Sequence, residues 1–87
     1  MRLKNGLYDI YTSYGRNKEK INAMEELGEL YIALQKEDLE NIYEEVADVL
    51  NVIEHKKTIY NLDNKKILKK RHDKVKRELD RISARIE

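Results

Sequence analysis

Two short runs place carboxylates among apolar residues. The first, 23-AMEELGEL-30, sets Glu25, Glu26 and Glu29 around Leu27 and Leu30. The second, 43-YEEVADVL-50, sets Glu44, Glu45 and Asp48 among Val46, Val49 and Leu50. On a helix, Glu26 with Glu29 and Glu45 with Asp48 are i, i+3 pairs, whose Cβ atoms stand only about 5–6 Å apart. Two such pairs brought together would gather four carboxylates. In a partly desolvated cleft they repel, and protonation, a nearby Lys or Arg, or a bound cation must offset that repulsion. Carboxylate oxygens suit hard divalent ions, Mg²⁺ or Mn²⁺. Neither His nor Cys supplies the spacing of a zinc site. The same acids also read as a solvated helix face, because 17 acids in 87 residues make clustering common and Glu is a good helix former.

The elements that must carry these acids are helices. Proline is absent, glycine occurs three times, and nothing alternates with strand period, so the class is all-α. Leu3, Leu7, Ile10, Tyr11 and Tyr14 predict a helix over 2–14, stopped by Gly15. Asn17 can cap a second helix over 18–36, Asp38 a third over 39–59, and Asp63 a fourth over 64–86. In the fourth, Leu68, Val75, Leu79, Ile82 and Ile86 follow steps of three and four, with His72 filling the gap, as in a coiled-coil seam. Short connections predict antiparallel neighbours in a small bundle of about four helices. The apolar arc of the second helix centres near Met24, Leu27 and Leu34, and Asn22, Glu26, Glu29 and Ala33 share the adjoining sector. On the third helix the arc centres near Val46 and Ile53, flanked by Asn41, Glu45, Asp48, Val52 and His55. Packing through the two arcs would put both acidic sectors at the rim of the contact. Asn51, three residues past Asp48, can reach the same cleft as a substrate contact, and Asn22, one turn before Glu26, can orient it. His55, a lone helix histidine on the acidic sector, reads as structural. Tyr8, Tyr11 and Tyr14 could stack on a base or fill the core.

The length bounds the rest. Eighty-seven residues make a single domain, 1–87, whose modest core favours further burial in a homo-oligomer. The absence of Cys fits a reducing compartment, and no run approaches a membrane span or a secretory signal, so a cytoplasmic protein is expected. A net charge of +1 conceals a division. Residues 37–60 carry seven acids and two bases, net −5, and residues 61–87 carry ten bases and five acids, net +5. The small total and the −5 segment argue against a nucleic-acid partner.

EELGE at 25–29 and, fifteen residues later, EVAD at 45–48 resemble the EExxE…ExxD signature of the MazG-like all-α nucleoside triphosphate pyrophosphohydrolases. That superfamily also includes dimeric dUTPases and phosphoribosyl-ATP pyrophosphohydrolases. YG at 14–15, DVLNVI at 48–53 and KVKRELDRI at 74–82 extend the resemblance over most of the chain. It implies a helical bundle assembled as a homodimer or homotetramer. It also implies Mg²⁺-dependent cleavage between the α and β phosphates of a nucleoside triphosphate, giving a nucleoside monophosphate and pyrophosphate. By position, Glu26, Glu29, Glu45 and Asp48 match the metal ligands, and Glu25 matches the first Glu of the motif. Glu25 or Glu26 is the candidate to accept the attacking water's proton. Lys74 and Arg77, with Lys70 one turn earlier, match basic positions of the last helix and could hold the β and γ phosphates. Each taken singly also reads as a solvated base. Two other readings stay open: a non-enzymatic helical interaction module using the last helix's seam, and a degenerate member that binds nucleotides without hydrolysing them; a third, a nucleic-acid binder using the basic helix, is opposed by the −5 segment and by the absence of a recognisable motif.

Overall fold

A computed structural model describes residues 2–86. Four helices follow one another: α1 (Leu3–Tyr14), α2 (Arg16–Lys36), α3 (Leu39–Ile59) and α4 (Asn64–Ile86). The side chains of Tyr11 and Ile86, both included in the apolar patterns above, lie outside the described ones.

Local chemistry sets the helix ends. Asp38 caps α3, accepting from the Asn41 N–H at 3.4 Å, and Asp63 accepts from the Lys65 N–H at 2.9 Å at the start of α4. The start of α2 differs from the expected one. Gly15, not Asn17, is its N-cap, with φ 78 and ψ 160 and no side-chain cap. That backbone conformation belongs essentially to glycine, so one residue both ends α1 and turns the chain into α2. α2 ends where Glu37 turns left-handed and its N–H bonds to the Leu34 carbonyl at 3.3 Å.

α2 and α3 pair antiparallel, and α1 packs against both. The α2–α3 contact does not run through the large apolar arcs. It buries Ala23, Ala33 and Val49 together with Glu19 and His55. Met24 is 66% exposed and Leu50 57%, and Leu27, Leu34, Val46 and Ile53 are exposed as well. The packing faces lie about a quarter turn from the arcs. Small side chains such as Ala23 and Ala33 let the two backbones approach, and the acid-bearing sectors face each other at the edge of this contact, with Glu26 and Glu45 half-buried and Glu29 and Asp48 exposed.

α4 touches none of the other helices among the described residues. Leu68, Val75, Leu79 and Ile82 of its seam are exposed. The short Tyr60–Asp63 connection therefore leads α4 outward, and its antiparallel return onto α3 does not occur within the chain. The radius of gyration is 16.5 Å, against roughly 12 Å for a compact chain of this length. No helix among the described residues is long and apolar enough to cross a membrane.

Candidate metal centre

The α2–α3 register brings two acidic pairs together. One carboxylate oxygen from each of Glu26, Glu29, Glu45 and Asp48 lies within 4.8 Å of the others. Glu26 and Glu45 are half-buried, whereas Glu29 and Asp48 are exposed, so the cluster opens to solvent on one side. The carboxyls of Glu26 and Asp48, and those of Glu45 and Glu29, act on one another across the two helices.

The electrostatics follow from this crowding. Burial, followed by the charges of Asp48, Glu29 and Glu45, pushes the Glu26 carboxyl up to about 7. Burial and the neighbouring Glu29 raise Glu45 in the same direction. No described Lys or Arg forms an ion pair with any of the four. The Oε2 atoms of Glu26 and Glu45 are buried without a hydrogen-bond partner. An all-oxygen donor set, with surplus negative charge and two buried lone-pair sites left open, fits a hard divalent cation. A proton is the alternative compensation, and the raised Glu26 shows that it is accessible near neutral pH.

Two turns farther along the same groove sits a pair that the sequence reading did not find. Glu19 Oε2 lies 3.3 Å from His55 Nδ1, with both side chains buried. Burial, with a further push from Lys56, holds His55 below the usual imidazole range despite the carboxylate beside it. The signal was present in the spacing. Glu19 precedes Glu26 by seven residues and His55 follows Asp48 by seven, so the register that pairs the acids pairs these two as well.

The other sequence candidates divide. Asn22 and Asn51 are half-buried on the helices that carry the acids. Glu25 is exposed and stands outside the four-carboxylate cluster. Lys70, Lys74 and Arg77 line a shallow cleft on α4 with Asp73, and because α4 stands apart they do not meet the acids within the chain. Tyr14 is half exposed, with the Lys18 ammonium 4.6 Å from its ring centre.

No curated protein and no solved structure matches the chain. A family model for phosphoribosyl-ATP pyrophosphohydrolase matches residues 4–75. The matched stretch holds all four clustered acids, Lys70 and Lys74, and stops short of Arg77. With most of its length covered by that model and its helices meeting through their acidic faces, the chain belongs to the phosphoribosyl-ATP pyrophosphohydrolase family, within the all-α nucleoside triphosphate pyrophosphohydrolase superfamily.

Proposed function

We propose that the protein is a Mg²⁺-dependent nucleoside triphosphate pyrophosphohydrolase. It hydrolyses the anhydride between the α and β phosphates and releases a nucleoside monophosphate and pyrophosphate. One observation carries this reading: four carboxylates converge between α2 and α3 with two buried oxygens lacking a hydrogen-bond partner, in a chain of a pyrophosphohydrolase family.

In this reading Glu26, Glu29, Glu45 and Asp48 hold the cation, Mg²⁺ or Mn²⁺. When bound, such an ion neutralises polyphosphate charge and lowers the pKa of a coordinated water. The chain supplies positioning and proton transfer. Water attacks the α phosphorus, the bond from phosphorus to the bridging oxygen breaks, and pyrophosphate leaves with the electron pair. Glu26 or Glu25 accepts the water's proton. Without the ion the Glu26 carboxyl titrates near 7, and a cation that displaces its proton would leave it ionised, as a general base must be. Asn51 contacts substrate from α3, and Asn22 orients Glu26. Lys70, Lys74 and Arg77 hold the β and γ phosphates. Because α4 stands clear of its own α2–α3 pair, they reach over the acidic centre of another copy in a homodimer or homotetramer.

The motifs at 25–29 and 45–48 favour MazG-like breadth toward nucleoside triphosphates. The family match favours phosphoribosyl-ATP, in which the same bond is cleaved. Pyrophosphate release from ribo- and deoxynucleoside triphosphates and from phosphoribosyl-ATP, with and without Mg²⁺, tests both. Glu45→Ala and Asp48→Ala should abolish turnover and keep the helical circular dichroism. Orthophosphate in place of pyrophosphate would mean that the assigned bond is wrong. Nucleotide binding without turnover would favour a degenerate binder, and the absence of both would favour an interaction module.

A further inference from the structure

The acidic centre does not account for the apolar seam of α4. Leu68, Val75, Leu79 and Ile82, with His72 between them, form a narrow exposed stripe. Their helix touches no other among the described residues. The outer face of α3 carries a stripe of the same kind. Leu39, Tyr43, Val46, Leu50 and Ile53 follow the same alternating steps of four and three, and all are exposed. Two helices so patterned can pack each apolar side chain into a gap of the other.

Charge decides which helix suits α4. Lys69 and Lys76 stand on one flank of its stripe and Arg71 on the other, all exposed. In a parallel pair of α4 helices, Arg71 would face Lys76 of the other copy. In a fully overlapped antiparallel pair, Lys76 would face its own counterpart. α4 is therefore poorly matched to itself. α3 offers the opposite sign. Glu40 and Glu44 are exposed on one side of its stripe, within the segment of net −5 charge. Set antiparallel with Leu39 opposite Leu79, Tyr43 opposite Val75, Val46 opposite His72 and Leu50 opposite Leu68, the two stripes bring Glu40 beside Lys76 and Glu44 beside Lys69. A shift of one heptad would instead put Lys57 opposite Leu68 and Lys56 beside Arg71. Lys69 holds Asp73 at 3.0 Å in an exposed pair, which is weak enough to exchange.

We propose that α4 docks by its stripe along the outer face of α3 of a second copy of this chain, antiparallel and in that register. A short α3–α4 connection would ordinarily form this contact within one chain. Here the connection leads α4 outward, and exchange between copies restores the contact, as in a domain swap. One consequence reaches the acidic centre. Lys70 and Arg77 lie half a turn round α4 from its stripe, and Asp48 lies half a turn round α3 from the centre of its own. A docked α4 thus turns Lys70 and Arg77 away from the copy that receives it, and a further copy must supply the acids they face. That selects a homotetramer over a homodimer. The consequence rests on the pyrophosphohydrolase reading, whereas the docking does not.

The chain has no Cys, so introduced thiols report the contact in the full-length protein. Tyr43→Cys and Val75→Cys are made as separate variants, mixed, refolded together from urea and exposed to oxidised glutathione. Opposed positions of this kind bring Cβ atoms near the about 3.5–4.5 Å that a disulfide needs, so the mixture should give a covalent product containing one chain of each variant. Neither variant alone should crosslink. A product from Val75→Cys alone would set α4 against α4, one from Tyr43→Cys alone would set α3 against α3, and a mixture without product would leave α4 undocked; each overturns the proposal. Charge exchange gives a second readout by sedimentation. Glu40→Lys with Glu44→Lys, and separately Lys69→Glu with Lys76→Glu, should each weaken self-association about tenfold or more, because attracting pairs become repelling ones. All four substitutions in one chain should restore it. A fourfold variant no better than the twofold ones, with helical circular dichroism kept, would also overturn the docking. These measurements do not depend on turnover. Pyrophosphate release by a protein that gives no mixed crosslink keeps the hydrolase reading and removes the docking. A mixed crosslink in a protein of two chains keeps the docking and removes Lys70 and Arg77 from the phosphates.

Discussion

Glu19 Oε2 stands 3.3 Å from His55 Nδ1, in a contact closed to solvent between α2 and α3. Seven residues separate Glu19 from Glu26, and seven separate Asp48 from His55. Two helical turns on each antiparallel strand of the pair are equal in rise, so the contact that joins Glu26 to Asp48 and the one that joins Glu19 to His55 belong to one register. The buried pair thereby acts as a pin: a slip of one helix past the other would break it and scatter the four carboxylates together.

His55→Ala tests that pin. It leaves the Glu19 carboxylate buried beside a void, and removing one member of a buried polar pair costs about 2–4 kcal/mol. The double variant Glu19→Leu, His55→Leu removes both polar groups and should be less destabilised than His55→Ala alone. Urea denaturation at one fixed protein concentration measures both, because assembly would otherwise shift the apparent stability. A cost for His55→Ala below about 1 kcal/mol, within the range of an ordinary surface change, would show that the pair does not hold the register.

Much of this arrangement was legible in the chain, and what was not has a physical reason. Asp38 and Asp63 marked the starts of α3 and α4 because a carboxylate that can accept backbone N–H groups is a local signal. The start of α2 was missed because Asn17 also looks like a cap, while Gly15 supplies a backbone conformation that composition does not reveal. The acidic sectors could be placed from helical period alone. Which faces would meet could not, because periodicity identifies an apolar arc and not what covers it. Met24 and Leu27 drew the expected contact to their own arc, yet Ala23 and Ala33 are the residues the pair buries. The separation of α4 was illegible for the same reason, since a seam such as Leu68–Leu79 specifies a partner helix and does not say which one.

Glu26 makes the stability of the metal-free protein depend on pH. Its carboxyl titrates near 7 in the folded protein, against an ordinary value of 4.5. The folded state thus binds more protons between those values, and stability falls as pH rises from about 4.5 to about 7, then levels. Glu45 acts in the same direction. Thermal midpoints in chelator should decline across that window, and the difference between the wild type and Glu26→Gln should contain the decline. Mg²⁺ competes with the proton for the same oxygens, so the stabilisation it gives should grow with pH over this range and shrink in Glu26→Gln. A Glu26→Gln profile parallel to that of the wild type would remove Glu26 as the cause.

His55 contributes with the opposite sign. Its folded pKa lies below 6.5, so the unfolded state binds the extra proton, and stability is lost as pH falls through and below that value. Once Glu26→Gln has removed the larger acidic effect, adding His55→Leu should lessen the remaining loss of stability toward low pH. Melting curves of the two variants from pH 5 to pH 8 compare them directly, and profiles of identical shape would count against a depressed His55.

Gly15 gives a backbone prediction independent of any ligand. At φ 78 and ψ 160 a Cβ would meet no atom within 4 Å, so the penalty for Gly15→Ala comes from conformation and not from a clash. A residue forced into that region costs about 1–3 kcal/mol. Gly28, mid-helix with equally open space, is the matched control. Gly28→Ala should stabilise by about 0.5–1 kcal/mol through helix propensity. Opposite signs for two identical substitutions in one helix region are the outcome to look for in chemical denaturation, and equal signs would contradict the conformation at Gly15.

The outward faces of α2 and α3 carry the last prediction. Met24, Leu27, Tyr31 and Leu34 on one helix, with Tyr43, Val46, Leu50 and Ile53 on the other, leave large apolar side chains in water. Contiguous exposure of that kind marks an interaction surface, and a chain of 87 residues that buries so few side chains needs the extra burial. The acids point a different way, so the surface can be covered without closing the cluster. The wild type should therefore sediment at a multiple of 10.4 kDa, with a melting temperature that rises with protein concentration. Leu50→Glu sets a charge in the middle of the α3 face and should shift the mass to the monomer or unfold the chain at the same concentration. Lys36→Glu, an exposed charge change at the end of α2, should do neither. A wild type that stays monomeric and fully helical at micromolar concentration, with a melting temperature indifferent to dilution, would show that this face needs no second copy, and the placement of Lys74 and Arg77 over a neighbouring centre would fall with it.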